Sequence, residues 1–213
     1  MKKIIFSCLF LTSFLFAENE VSLLIKNFNK VANKDVLSEI NSLKQNDKYF
    51  NMAIDYLTKK SMMTKTKVIA GNVEEAEADE RNNKPIKYKF IRLPNYSNAL
   101  QEFRKSVDKY NNPLSAYIAL QIVKTKIPPT KIEDMKYKRK YIELLYKTTH
   151  SCSAYIDYSD VLFNGIAGSP NIQKAKKVLD ETNRCLNSAT DWEKSIIQMK
   201  KDRIQFKLEH DLK

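Results

Sequence analysis

The chain has 213 residues, 43% of them hydrophobic, and a formal net charge of +12. That length suits one domain or a short array of repeats, and the apolar share excludes a disordered chain. It has only three glycines and six prolines, too few for the tight turns of a sandwich or barrel or for a glycine-rich phosphate loop, which leaves a mostly helical, all-α class.

The first segment reads as a signal peptide over 1–17. Lys2 and Lys3 precede an apolar stretch over 4–16, broken only by Ser and Thr, and Ala17 offers a small residue for cleavage. The stretch is shorter than the ~20 residues a spanning helix needs. Cleavage removes two lysines from the +12 and leaves +10. The basic residues are 31 Lys and 6 Arg. Arg is the residue expected where phosphate is gripped in a fork, so nucleic acid is not an expected partner. An anionic wall polymer or lipid surface fits the charge.

Residues 18–63 read as N-terminal helices, over 19–33, 35–46 and 48–62. Residues 64–95 break the helical pattern. They contain the acidic run Glu74-Glu75-Ala76-Glu77-Ala78-Asp79-Glu80 and the alternating Ile86-Lys87-Tyr88-Lys89-Phe90. The alternation reads either as one strand of a β-hairpin with residues 64–70 or as an extended linker. The acidic run lacks the glycine turn of a Ca²⁺ loop, and it reads as a solvated loop or helix start.

From 96 onward the helical stripe returns, over 96–110, 113–126, 131–149, 153–164 and 171–186. Ala99, Leu100, Phe103 and Val107 follow the spacing of a half-buried helix, as do Leu114, Tyr117, Ile118 and Ile122. Asn112-Pro113 has the grammar of an N-cap followed by a first-turn proline. Thr130 with Glu133, and Thr190 with Glu193, have capping-box spacing. Gly165 and Gly168 mark a reversal. Residues 187–213 form a capping segment, with a last helix over 190–211 that carries the single tryptophan, Trp192.

The sequence repeats. Ser115-Ala116-Tyr117-Ile118 returns as Ser153-Ala154-Tyr155-Ile156, 38 residues later. Asn95 and Ala99 return as Asn171 and Ala175, 76 residues later, which is two periods. The segment from Asn95 to Val107 resembles the second helix of a Sel1-like repeat, a relative of the tetratricopeptide repeat. The segment from Asn112 to Leu120 resembles the turn and first helix of the next. Residues 154–182 resemble one whole unit, with Asn164-Gly165 and Lys174-Ala175 where the family has its helix-ending Gly and its Lys-Ala. The resemblance covers 96–186 and implies an α-solenoid of antiparallel helix pairs. Small residues at Ala99, Ala116, Ala154 and Ala175 would let helices approach, with Phe103, Tyr117, Tyr155 and Leu179 filling between them.

Cys8 leaves with the signal, so the mature chain keeps Cys152 and Cys185. An even pair in an exported chain points to a disulfide. The two lie at neighbouring ends of an antiparallel helix pair, and their bond would close a loop of about 33 residues. The secreted Helicobacter cysteine-rich proteins, similar Sel1-like arrays, staple their helix pairs in the same manner. His150 and Cys152 alone do not make a four-ligand zinc site. No nucleophile-and-base motif is visible, so no catalytic residue, metal ligand or cofactor site is assigned and the chain reads as a non-enzyme. The resemblance implies an exported, periplasmic interaction or scaffold module for an envelope protein. The alternative is a protein that binds cell-wall material or β-lactams, with weak hydrolysis at most.

Overall fold

The computed structural model describes residues 19–70, 73–82 and 84–210. The signal-peptide reading, and Cys8 with it, lies outside the described residues. The chain is mostly helical. Helix α1 covers 19–31. It is followed by α2 (Lys34–Asn46), α3 (Lys48–Thr58), β1 (Thr64–Ile69), α4 (Val73–Arg81), β2 (Tyr88–Leu93), α5 (Tyr96–Tyr110), α6 (Pro113–Thr125), α7 (Ile132–Thr149), α8 (Cys152–Phe163), α9 (Ile172–Asp180) and α10 (Asp191–His210). Two 3₁₀ turns, Glu181–Arg184 and Leu186–Ser188, separate α9 from α10.

Side-chain caps start most of these helices. Asn33 accepts from the Val36 N–H, Asn95 from Asn98, Asn112 from Leu114 and Ser115, Ser151 from Ala154, and Asn171 from Lys174. Each satisfies a backbone donor that the helix cannot. Thr190 and Glu193 form the full reciprocal box at α10: the Glu193 carboxylate accepts from the Thr190 N–H at 2.9 Å, and the Thr190 hydroxyl accepts from the Glu193 N–H at 3.2 Å. The box expected at Thr130 is not formed. Helix α7 begins at Ile132 with Lys131 as its uncapped N-cap. Glu133 is therefore the second helical residue rather than the third, one position out of reach.

The turns between helices are tight. Asn111 and His150 both take left-handed backbone, at φ 49° and φ 50°, and in each case the next residue caps the following helix. Gly165 has φ 63°, and a Cβ there would lie 2.7 Å from Pro170 Cδ. Backbone handedness and close approach both require glycine at that reversal.

The hydrophobic core runs from Val21 and Phe28 in α1 to Ile197 and Ile204 in α10. Phe28 meets Tyr117 of α6 edge-on at 5.3 Å between centroids, and Phe50 of α3 packs by Phe103 of α5 at 6.2 Å. Ala99, Ala116, Ala154 and Ala175 are buried, as are Phe103, Tyr155 and Leu179. The repeated tetrapeptide occupies the first turn of α6 and of α8, and the repeated Asn caps α5 and α9.

Each helix from α5 to α10 packs on its neighbour in sequence, and α3 packs on α5 across the intervening insertion. Polar contacts also link alternate helices. Arg104 of α5 pairs with Asp134 of α7 at 2.5 Å, and Lys140 of α7 with Asp108 of α5 at 2.6 Å. Lys124 of α6 reaches Asp157 of α8 at 2.6 Å, and Lys200 of α10 pairs with Asp160 of α8. Tyr146 of α7 donates to Glu181, just past α9, at 3.1 Å.

A buried polar knot ties the first part of the molecule together. Asp47 has no solvent exposure. One carboxylate oxygen caps α3 by accepting from the Tyr49 and Phe50 N–H groups at 3.1 and 2.9 Å. The other accepts from Ser106 Oγ at 2.5 Å and Asn112 Nδ2 at 3.0 Å. Ser106 in turn shares a 2.5 Å hydrogen bond with Ser115.

Two helices depart from their expected bounds. The helix expected to end at 62 stops at Thr58. The helix expected over 171–186 is α-helical only to Asp180, where the chain tightens into 3₁₀ turns. The insertion at 64–95 is the β-hairpin of the two readings left open, with the acidic run wound into α4 at its tip.

Candidate interaction surface

The two cysteines assigned from sequence are bonded. Cys152 is the first residue of α8 and Cys185 lies between the two 3₁₀ turns, with Cα atoms 5.4 Å apart. Both are buried, so the bond is a structural staple with no open face for exchange. His150 ends α7, and its Nδ1 lies 3.4 Å from the Tyr155 hydroxyl. Among the described residues no cluster of His, Cys, Asp and Glu is placed to hold a metal ion.

The insertion carries an exposed face of aromatic and basic side chains. Strands β1 and β2 pair antiparallel, with Lys65 opposite Arg92, Lys67 opposite Phe90 and Ile69 opposite Tyr88. Alternation puts these six side chains on one face. Phe90 is 59% exposed and Tyr88 49%. Lys65 Nζ sits 4.3 Å from the Phe90 centroid and Lys67 Nζ 3.9 Å from that of Tyr88. Arg92 donates to the Lys60 carbonyl at 2.6 Å, fixing the base of the face. Among the described residues neither Lys65 nor Lys67 is paired with a carboxylate. Each ammonium therefore keeps donors for an outside anion while resting on a ring.

The alternation at 86–90 was readable as a strand, but its apolar side does not face the core. The hydrophobic cluster that joins the helices includes no residue between 58 and 95, although Met63 and Ala76 of the insertion are buried. The signal for an open face lay in β1: its lysines at 65 and 67 share a face with the aromatic residues. The sheet has two strands among the described residues, so no further described strand lies beside either outer edge, and lysines stand along both strands.

A second feature is a groove of about 280 Å³ between α5, the end of α6 and the start of α7, with Arg104, Lys131 and Asp134 among its lining residues. The Arg104 guanidinium also lies 4.5 Å from the Tyr137 centroid. Burial of Arg104 disfavours its charge, but its hydrogen bond to the Asp134 carboxylate and its interactions with Tyr141 together outweigh this and raise its pKa. Tyr137 donates to Asp108 at 2.9 Å. Burial pushes the Tyr141 phenol well above the usual range, against the opposing charge of Arg104. Arg104 and Tyr137 are thus held by internal pairs, while the buried Arg104 Nε and Tyr141 hydroxyl have no hydrogen-bond partner among the described residues. The hairpin face is the better candidate surface.

No family model, curated protein or solved structure matches this chain. Among the described residues no helix is long and apolar enough to cross a membrane.

Proposed function

We propose that the protein is an exported scaffold built as a Sel1-like helical array, and that it binds another protein of the bacterial periplasm through its projecting hairpin. The array reading is supported by the polar links between helix n and helix n+2, from α5 to α7, α6 to α8 and α8 to α10. Stacked helix pairs bring alternate helices side by side. The repeated cap and tetrapeptide positions support the same reading. The binding reading rests on one observation: a face with two exposed aromatic rings under two lysines that no described carboxylate pairs, attached to the array but outside its main hydrophobic cluster. The partner segment that fits it is extended and acidic. Carboxylates would meet Lys65 and Lys67, apolar side chains would cover Tyr88 and Phe90, and the open strand edge would supply backbone hydrogen bonds.

The test is cross-linking in living cells, with a photoreactive residue in place of Phe90 and a control at the exposed Lys136 of α7. A discrete protein adduct at position 90, lost in the Lys65→Glu/Lys67→Glu variant, is the expected result. Adducts equal at both positions, or unchanged by charge reversal, would overturn the assignment. The same basic face favours an acidic wall polymer as a second reading. That reading requires salt-sensitive sedimentation with purified sacculi and no discrete protein adduct.

A further inference from the structure

The last helix has two apolar faces. Ile197 and Ile204 of α10 enter the core, and Lys200 pairs with Asp160 beside them. On the opposite side Trp192, Met199 and Phe206 are exposed by 69%, 56% and 63%. They recur every seven residues. Ile196, half-buried against the core, and the exposed Arg203 and His210 fall between and after them, so the stripe steps by four and three residues from 192 to 210. That is the spacing of a helix–helix seam. The stripe runs the length of a 20-residue helix, about 30 Å. Its three large side chains expose on the order of 400 Å² of apolar surface, since an aromatic side chain presents 150–250 Å². The largest apolar patch on a monomer is about 300–600 Å² and is often functional.

We propose that this stripe is a self-association surface, on which α10 of a second copy packs antiparallel about a two-fold axis. Charge decides the direction. A parallel pair would set Arg203 against its own copy and His210 against its own copy. An antiparallel pair centred between Met199 and Arg203 sets Ile196 against Phe206 of the second copy and Trp192 against its His210. It also brings Glu193 beside the second copy's Lys207, and at the two-fold axis, where the two Asp202 carboxylates approach each other, it sets an Arg203 guanidinium beside each of them. Each contact occurs twice, as an isologous interface requires, and the assembly closes at two copies. Arg203 is already held over the Phe163 ring at 4.6 Å and Phe206 stacks on His210 at 4.1 Å. Side chains of the seam are therefore partly ordered before pairing, which lowers the entropic cost of association. The apolar area is below the ~800 Å² per partner of a standard stable complex, so the dimer is a weak one.

The test is sedimentation velocity on protein purified from the envelope of cells expressing the full chain, from about 1 to about 300 µM, a range that brackets so small an interface. The expected result is a rise from monomer to dimer mass within that range. Met199→Glu/Phe206→Glu should abolish the rise, and Leu23→Glu, an exposed apolar site on α1, should leave it. A short bis-maleimide should join two copies of Asp202→Cys and not two copies of Trp192→Cys. A monomer at every concentration, whether or not it binds phosphatidylglycerol vesicles, would overturn the proposal. Dimerisation unaffected by the double substitution would also overturn it, and linkage at 192 in place of 202 would overturn the antiparallel arrangement.

Discussion

Asp47 shows how much one side chain can organise. Its two oxygens satisfy four donors drawn from α3, α5 and the α5–α6 turn. Truncation to Ala would remove the cap and leave Ser106 and Asn112, both buried, without their acceptor. A lost cap costs about 1 kcal/mol and an orphaned buried polar group about 1–3 kcal/mol. Asp47→Ala should therefore lower stability by roughly 2–4 kcal/mol, measured as a lower urea midpoint with an unchanged slope. Tyr146 makes a pH-dependent contribution. Burial first, and then its hydrogen bond to the Glu181 carboxylate, push its phenol up from 10.0 to about 12. The unfolded chain releases that proton near pH 10 and the folded chain holds it further. Stability is thus unaffected by this group below pH 10 and falls as pH rises from there toward 12. Urea midpoints taken at pH 9 and pH 11 should drop, and Tyr146→Phe should make the drop smaller. These two residues also differ in how readable they were. Asn caps declare themselves by the few residues around them, and five helices here begin with one or with Ser. Asp47 meets Ser106 and Asn112 across 59 and 65 residues, and no local pattern reports such a contact.

Among the elements, the region after α9 is where sequence pattern and structure part. The apolar stripe of 171–186 continues past Asp180, but the backbone tightens into 3₁₀ turns there. The disulfide explains why that ending holds. It anchors Cys185 to the start of α8, so the weaker hydrogen bonds of a 3₁₀ stretch are not the only tether. Cys152→Ser/Cys185→Ser should lose about 2–4 kcal/mol, the usual effect of opening a loop of that size. The loss should appear first as faster amide exchange over 181–189, then as a lower melting temperature. Persistence of full protection in that segment would refute the tether. The other boundaries were legible because they rest on short-range chemistry: the periodic apolar stripe, the Asn-Pro start of α6 and the glycine at 165. The capping box at Thr130 failed for an equally local reason, a helix start displaced by one residue. The insertion was half legible. Alternation announces a strand, but which face it buries depends on whether another layer covers it, and here no core residue does.

At the scale of the whole molecule, the insertion and the array are energetically separate. The Asn95 N–H donates to the Tyr56 carbonyl at 3.0 Å, so the chain returns to α3 immediately before α5 begins. Helices α3 and α5 pack on each other whatever lies between them. Met63 and Ala76 are buried, yet neither is part of the hydrophobic cluster that joins the helices. Replacing residues 61–92 with a two-residue Gly-Ser link shortens the closed loop about fivefold, a gain of about 1.5 kcal/mol in closure entropy. Loss of the Met63 contacts costs a comparable ~1.5–3 kcal/mol. The two nearly cancel, so the shortened chain should keep its far-UV helical signal and melt cooperatively within a few degrees of the parent. It should also lose the cross-link assigned to the hairpin while keeping the concentration-dependent mass assigned to α10. Retention of the cross-link would return binding to the helical array. Collapse of the melt would make the hairpin part of the fold.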